Sequence, residues 1–195
     1  MIAVPGPDGR SRCPWAAGAL YTAYHDDEWG VPLHDDRALF EKLTLEGFQS
    51  GLSWIIILRK RPAFRDAFAQ FEPEAVAAFG DDDVERLLLD AGIVRNRQKI
   101  EAAISNARAI AALRIRDGTG ALDRLIWSFQ PAALAEHVPP ADLADVPGST
   151  STSKALAKAL KREGLGFVGP TTVYSLMQSA GLVDDHIDGC FRAAR

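Results

Sequence analysis

The sequence predicts an all-α fold, and three observations lead to this prediction. Apolar residues recur at helical spacing from about Asp35 onward, as they do in helices that each bury one face. No stretch alternates apolar and polar residues over more than a few positions, apart from an apolar segment at 54–58. No internal repeat or low-complexity linker divides the chain. We therefore expect a flexible tail at 1–11, rich in Gly, Pro and charge, followed by a single helical domain at 12–195.

The first half of the chain predicts four helices. Residues 36–48 begin with an acidic cap candidate and carry apolar residues at helical spacings. The apolar stretch at 53–61 would fit a buried strand by propensity alone, but its helical neighbours favour a helix. Pro62 then starts another helical run that carries Phe64, Phe68 and Phe71. Three aspartates open a fourth helix at Asp81, and Gly92 ends it.

The second half predicts four more helices and one long loop. Residues 95–113 carry an isoleucine and alanine stripe on one face, and helical patterns follow at 121–129, 152–163 and 171–180. Residues 130–148 contain four of the 11 prolines, which favours a loop between helical bodies.

Composition and charge narrow the class of protein. Hydrophobic residues make up 47% and charged residues 25%, as in an ordinary globular protein. No run approaches the roughly 18 apolar residues of a membrane helix, and the first twelve residues lack a secretory signal, so we expect a cytoplasmic protein without membrane association. The net charge of -4 argues against general nucleic-acid binding, so that a DNA-binding surface would have to be local.

One helical junction has the features of a phosphate-binding hairpin. A helix stops at Gly92, two apolar residues follow (Ile93 and Val94), and a basic helix then begins with Arg95, Arg97 and Lys99. Free backbone N–H groups and the positive end of the second helix dipole would suit a DNA phosphate. The same pattern also fits a helical hairpin whose basic residues are simply solvated.

The two cysteines each lie close to a histidine, and the pairs stand near opposite ends of the chain. Cys13 precedes His25, and His186 precedes Cys190 in a segment rich in aspartate. Two Cys and two His make a plausible tetrahedral zinc set, which would leave no open position for an activated water. Two free cysteines and two unconnected histidines fit the same spacing.

Several specific motifs occur along the chain. They are the residues 12–15 (RCPW), 21–32 (YTAYHDDEWGVP), 45–54 (LEGFQSGLSW), 149–153 (STSTS), 161–169 (KREGLGFVG) and 185–186 (DH), together with the hairpin at about 82–112. Together these motifs resemble one enzyme family, the 3-methyladenine DNA glycosylases of the helix–hairpin–helix superfamily. The similarity covers nearly the whole chain from Arg12 to Cys190.

The resemblance implies a fold, a metal and a reaction. It implies a helix–hairpin–helix glycosylase fold in which a structural zinc ion joins the terminal segments through Cys13, His25, His186 and Cys190. It also implies a base pocket in which Glu46 hydrogen-bonds the lesion, with Glu46, Tyr24 and Trp54 as the catalytic set and Trp15 and Tyr21 beside them. By itself each of these five residues would be an ordinary packing or surface residue.

The expected substrate suits such a pocket. A base must leave the duplex to be reached, and 3-methyladenine is a cation and a good leaving group while attached to its sugar. Aromatic rings attract a flat cation, and a carboxylate favours it over neutral adenine. In the helix after Arg95, residues 104–113 contain no carboxylate, Asp117 fits a helix end, and no lysine is placed as a Schiff-base nucleophile. We therefore expect a monomeric, monofunctional N-glycosyl hydrolase that releases free 3-methyladenine from double-stranded alkylated DNA and leaves an abasic site.

Two other classes remain as alternatives. A DNA-binding module without catalysis would keep the hairpin and the zinc but have no functioning pocket. A zinc hydrolase would use His25 and His186 around a catalytic metal that keeps an open coordination position.

Overall fold

Helices form almost all of the regular structure in the computed structural model, which describes residues 1–131 and 138–193. The helices are α1 (Ala19–Asp27), α2 (Asp36–Gln49), α3 (Trp54–Ala67), α4 (Pro73–Ala77), α5 (Asp81–Leu89), α6 (Arg97–Asp117), α7 (Ala121–Trp127), α8 (Ser151–Arg162) and α9 (Pro170–Ser179). Two short 3-10 turns lie at Ala69–Phe71 and Leu143–Asp145. The prediction of a mostly helical protein is confirmed.

The N-terminal segment contains the one pair of strands in the described part of the chain. Strands β1 (Val4–Pro5) and β2 (Ser11–Arg12) are antiparallel, with Val4 opposite Arg12. The sequence predicted an all-helical protein with a flexible tail at 1–11. This pair of strands is a small departure from the all-helical prediction, and the flexibility of the segment stays a prediction.

Local side-chain caps begin several of the long helices. Asp35 accepts a hydrogen bond from the backbone N–H of Ala38 at 2.8 Å, which caps α2. Asn96 accepts from the N–H of Lys99 at 3.1 Å and caps α6 in the same way. Each cap satisfies an N–H group that has no partner inside its helix, a contribution of about 1 kcal/mol.

Helix α2 is the centre of the core and packs against α3, α6, α7 and α9. Its Phe48 meets Phe64 of α3 with ring centroids 4.8 Å apart, and both rings are fully buried. Because neighbours hold α2 on several sides, the polar residues that it carries, Lys42 and Glu46, have fixed surroundings. No helix in the described ranges is both long and apolar enough to cross a membrane.

The structure corrects the predicted boundaries at two places. Pro62 lies inside α3 instead of starting a new helix, because Ile57 and Phe64 on either side of it are buried in one continuous core. That burial outweighs the roughly 3 kcal/mol cost of an internal proline. The second correction concerns the hairpin: α5 ends at Leu89 and α6 begins at Arg97, so seven residues connect them, 90–96.

Candidate active site

A cavity of about 350 Å³ lies among α1, α2, α3 and α9. Aromatic rings and two carboxyl groups dominate its walls. The lining residues are Trp15, Tyr21, Tyr24, Trp29, Glu46, Gln49, Trp54, Leu143, Val146, Ser175, Gln178 and Asp185.

Five aromatic rings form a connected wall of this cavity. The ring centroids of Trp15 and Tyr21 are 5.9 Å apart at a near-perpendicular angle, and those of Trp15 and Trp29 are 5.1 Å apart. Tyr24 lies against Trp54 at 5.6 Å. Such edge-to-face and tilted contacts fix the rings and leave electron-rich faces available to a flat ligand.

Glu46 is the carboxyl group that α2 places in this cavity. It is 6% exposed, and the hydrophobic residues beside it on α2, Leu45 and Phe48, belong to the core. Burial raises the pKa of Glu46 to about 8, and the positive charge of Lys42 opposes part of that rise. The side chain therefore holds a proton that a nearby cation would displace.

All five residues predicted for the base pocket line this one cavity: Trp15, Tyr21, Tyr24, Glu46 and Trp54. Sequence reasoning did not identify the other lining residues. Gln49 lies three positions after Glu46 and so on the same face of α2, which is a signal that helical spacing could have given. Leu143 and Val146 come from a loop for which the sequence offers no such signal.

Asp185 is a second carboxylate in the cavity. Its Oδ2 atom accepts hydrogen bonds from the Tyr174 hydroxyl at 2.6 Å and from the Gln178 side-chain amide at 2.7 Å. Both donors lie on α9, which fixes the carboxylate at the cavity wall.

Three of the four predicted metal ligands meet directly behind the aromatic wall. The candidate ligand atoms of Cys13, His25 and Cys190 all lie within 4.8 Å of one another, and all three residues are buried. The ring of His186 lies 5.1 Å from that of His25, and its Nε2 atom is buried with no hydrogen-bond partner among the described residues. An orphaned imidazole nitrogen beside two thiols and a second histidine fits a metal ion.

Carboxylates orient both histidines. The Nδ1 atom of His25 lies 2.9 Å from Asp26, and that of His186 lies 2.7 Å from Asp184. This leaves both Nε2 atoms for a ligand, an arrangement common around zinc. His25 Nε2 is 3.4 Å from the Cys190 sulfur.

One of the two sulfurs has a lowered pKa. A hydrogen bond from Cys13, assisted by one from His25, lowers the pKa of Cys190, and the same hydrogen bond together with burial raises the pKa of Cys13. Gly30 adopts a φ of +78° where a Cβ atom would come within 2.7 Å of the His186 ring, so no larger residue fits.

The hairpin between α5 and α6 presents its predicted DNA contacts unequally. Arg95 is exposed, whereas Arg97 pairs with Glu85 at 2.6 Å and Ile93 is buried in the core. Gly92 approaches Ala63 so closely that a Cβ atom would come within 2.8 Å of it.

Lys99, also predicted to contact DNA, points back into the protein. Its ammonium group donates to the carbonyl oxygens of Phe48 and Ser50 at 3.0 and 2.7 Å. It therefore fastens the hairpin to the end of α2.

Comparison with known sequences finds methyladenine glycosylases. The sequence model described as methyladenine glycosylase matches residues 15–193. DNA-3-methyladenine glycosylase 1 of Escherichia coli is 50% identical over 183 residues, covering 92% of this chain and 95% of the relative. The Haemophilus influenzae DNA-3-methyladenine glycosylase is 46% identical over 182 residues, covering 92% and 96%.

Solved structures of 3-methyladenine DNA glycosylases superpose on nearly the whole chain. A crystal structure of a 3-methyladenine DNA glycosylase I superposes with a TM-score of 0.88 at 50% identity, covering 94% of this chain and 100% of that one. A Staphylococcus aureus 3-methyladenine DNA glycosylase I, solved to show how it recognises 3-methyladenine, gives 0.86 at 34% identity, with 94% and 97% covered. This chain belongs to the methyladenine glycosylase family.

Proposed function

We propose that this chain is a monofunctional DNA glycosylase that releases 3-methyladenine from alkylated double-stranded DNA and leaves an abasic site. The names of its relatives support the substrate, since two of them are DNA-3-methyladenine glycosylases at 46–50% identity. The observation that carries the proposal is that Glu46 and Trp54 line one aromatic cavity with Tyr24.

The cavity suits a flipped-out, positively charged purine. A volume of about 350 Å³ is in the range of small-molecule pockets and can take one base with its sugar outside. A ring stacked on Trp54 or Trp15 would gain about 0.5–2 kcal/mol from its positive charge in addition to apolar contact. Neutral adenine lacks that contribution.

Glu46 adds a second discrimination by charge. A cationic base beside the carboxyl group favours its ionised form, which then accepts a hydrogen bond from the exocyclic amine of the base. The substrate supplies its own leaving-group activation, because the bonding electrons neutralise the cationic base as it departs as free 3-methyladenine. The main tasks of the protein are therefore to bind the cationic base before cleavage and to admit the water that adds to the positively charged sugar and loses a proton.

Base release decides between this function and a DNA-binding module without catalysis. We would incubate the protein with methylated duplex DNA and identify the free bases, with neutral lesions and undamaged DNA as controls. Release of 3-methyladenine is the expected result. Tight DNA binding with no free 3-methyladenine would support the non-catalytic module instead.

We further propose that Cys13, His25, His186 and Cys190 hold a structural zinc ion. The buried, unpartnered His186 nitrogen and the close approach of the ligand atoms of Cys13, His25 and Cys190 support a cation there. When bound, the ion would link the two ends of the chain and would take no part in bond cleavage, since four protein ligands leave no position for water. X-ray absorption should find two sulfur and two nitrogen ligands; a bound water would favour the zinc hydrolase alternative.

The segment around α5 and α6 is our proposed helix–hairpin–helix contact with the DNA backbone. Exposed Arg95, the backbone near Gly92 and the start of α6 would meet a phosphate, while Lys99 holds the hairpin in place. We infer that the protein acts on bacterial chromosomal DNA in the cytoplasm, since its two relatives are bacterial enzymes. That it acts as a monomer stays a prediction.

A further inference from the structure

We call the cavity of about 350 Å³ that contains Glu46 the base cavity. A second, smaller cavity, the rear cavity, lies behind its wall. Its volume is about 130 Å³, and Tyr24 and Trp54 line both cavities. The two aromatic residues are therefore a partition with the base cavity in front and the second cavity behind. The charged residues behind this partition are Glu28, Glu41, Lys42, Arg61 and Arg65.

Four of these five charged residues form pairs with each other. Arg61 donates to Glu28 at 2.5 and 2.8 Å through its two terminal nitrogens, and Arg65 lies 2.8 Å from Glu41. Such bidentate and close pairs neutralise both acids.

Lys42 is left without a direct partner. Its Nζ atom is buried and makes no hydrogen bond with any described residue. It lies 4.9 Å from the centroid of the Tyr24 ring, which offers a cation only a weak interaction compared with a hydrogen bond. Burial lowers the pKa of Lys42 to about 8, although Glu28 and Glu46 act in the opposite direction.

The position of Lys42 relates it to the base cavity through Glu46. The two residues are four apart on α2, so they lie one turn apart on the same face, with about 5–6 Å between their Cβ atoms. Lys42 faces the rear cavity and Glu46 the base cavity. The titratable and charged groups around this pair are Tyr24, Glu28, Glu41, Arg61, Arg65 and Asp185.

We propose that Lys42 is a positioning residue that, from behind the aromatic partition, favours the carboxylate form of Glu46 needed to receive the cationic base. This role rests on the proposed glycosylase function. An apolar side chain of the same length would fill the position without leaving a buried ammonium group unpartnered. The charge of Lys42 is thus unfavourable for local stability, and its effect on Glu46 is the use that the site makes of it.

The test compares the pH dependence of base release in Lys42→Met with that of the wild type. Removing the positive charge of Lys42 should move the midpoint of the kcat/KM profile up by about 1–2 pH units. At pH 7, excision should then fall about tenfold or more and recover partly at pH 9. Lys42→Arg, which keeps the charge, should retain the profile of the wild type.

Three controls make the outcome specific. Arg37→Met removes a charge from the exposed start of the same helix and should leave the midpoint unchanged. In a Glu46→Gln background, Lys42→Met should no longer alter the pH profile, because the group that it acts on is gone. Carboxyl-carbon NMR of Glu46 should show the same upward shift of its pKa in folded Lys42→Met protein.

Two results would overturn the inference, and they differ from failure of the proposed function. An active wild type whose Lys42→Met variant keeps the same midpoint and the same Glu46 pKa would refute the role of Lys42 alone. A wild type that releases no 3-methyladenine would refute the glycosylase function itself. The proposed role of Lys42 in positioning Glu46 for the reaction would then fall with it.

Discussion

Glu46 is held in surroundings that favour its neutral form, yet the proposed reaction needs its charged form. Burial among Leu45, Phe48 and the aromatic wall raises its pKa to about 8. A buried carboxyl group with such a pKa ionises when a cation arrives and stays neutral when it does not. The ionisation of Glu46 therefore depends on the charge of the bound base. A cationic base donates a charge-assisted hydrogen bond to the Glu46 carboxylate, whereas neutral adenine does not.

Glu46→Gln should keep the fold and reduce the rate of 3-methyladenine excision by about 10–100-fold. This reduction corresponds to the loss of a charge-assisted hydrogen bond, which contributes roughly 1.5–3 kcal/mol. In the wild type, kcat/KM should rise with pH up to about 8, because the carboxylate form increases over that range. In the variant this rise should be absent. Steady-state base release between pH 6 and 9 measures both; equal rates and parallel profiles would remove Glu46 from the mechanism.

The same substitution should stabilise the protein at alkaline pH. The pKa of Glu46 in the folded state, about 8, lies above its ordinary value of 4.5, so the folded state binds the proton more tightly. The free energy of unfolding therefore falls as pH rises from about 4.5 to 8. Glutamine does not titrate, and Glu46→Gln should gain about 4 kcal/mol relative to the wild type between pH 5 and 9.

Thermal unfolding at several pH values checks this stability difference. Glu101→Gln, at an exposed position on α6, serves as the control and should show no comparable pH-dependent gain. A constant difference in Tm between the Glu46→Gln variant and the wild type across pH 5–9 would contradict a raised pKa in the fold.

At the scale of elements, the sequence predicts helix starts better than helix ends. Asp36, Asp81 and Ala121 begin helices where the sequence predicted them, since acidic first turns and apolar stripes are local signals. The end of α5 at Leu89 was missed, because Ile93, four residues further on, is buried in the core although it belongs to a loop. Burial alone does not distinguish the two.

Helix α1 shows why part of the site could not be predicted from periodicity. Its Tyr24 and His25 are buried, but they face the base cavity and the metal cluster instead of the main core. The helix therefore lacks the apolar stripe that marks α2 or α8. Its residues were found through the resemblance to a family, and not through their spacing.

The hairpin offers a test that separates an available arginine from a committed one. Arg95 is exposed and forms no ion pair within the described ranges, whereas Arg97 pairs with Glu85 and Glu101. If the hairpin binds a phosphate, Arg95→Ala should weaken DNA binding and reduce the slope of log K against log salt concentration by about one. Arg97→Ala should reduce this slope less than Arg95→Ala does. The charge of Arg97 is already compensated by Glu85 and Glu101, so that it contributes less to binding a phosphate.

Binding to undamaged duplex DNA at several salt concentrations measures these slopes. Both variants are surface substitutions and should unfold at temperatures close to that of the wild type. Identical slopes for Arg95→Ala and the wild type would place the DNA elsewhere on the protein.

At the scale of the whole molecule, the two ends of the chain meet behind the base cavity. Cys13 and Cys190 form a small buried cluster with Ile187, and Trp15 and Trp29 pack against it. Both tryptophans also line the base cavity. The cysteine cluster and the base cavity therefore share a wall. No local pattern predicts contacts between residues 165 positions apart, such as His25 and Cys190.

This shared wall leads to the last prediction, that loss of the metal destabilises the fold more than it alters the pocket. Cys190→Ala and His186→Ala should each lower the metal content and the Tm, because the ion stabilises only the folded state, in which its ligands are assembled. The free energy of unfolding should fall by several kcal/mol in each ligand variant. The control His34→Ala changes a histidine outside the cluster, stacked on Trp127, and should lower the free energy of unfolding far less.

Below its Tm, each ligand variant should still excise 3-methyladenine, and its rate should be reduced less than that of Glu46→Gln. The reason is that Glu46 and Trp54 lie on α2 and α3 and are held by the main core. Zinc analysis, thermal unfolding and base release at 15 °C below each Tm separate the two effects, and a full loss of zinc with an unchanged Tm would show that the ends of the chain are held together by packing alone.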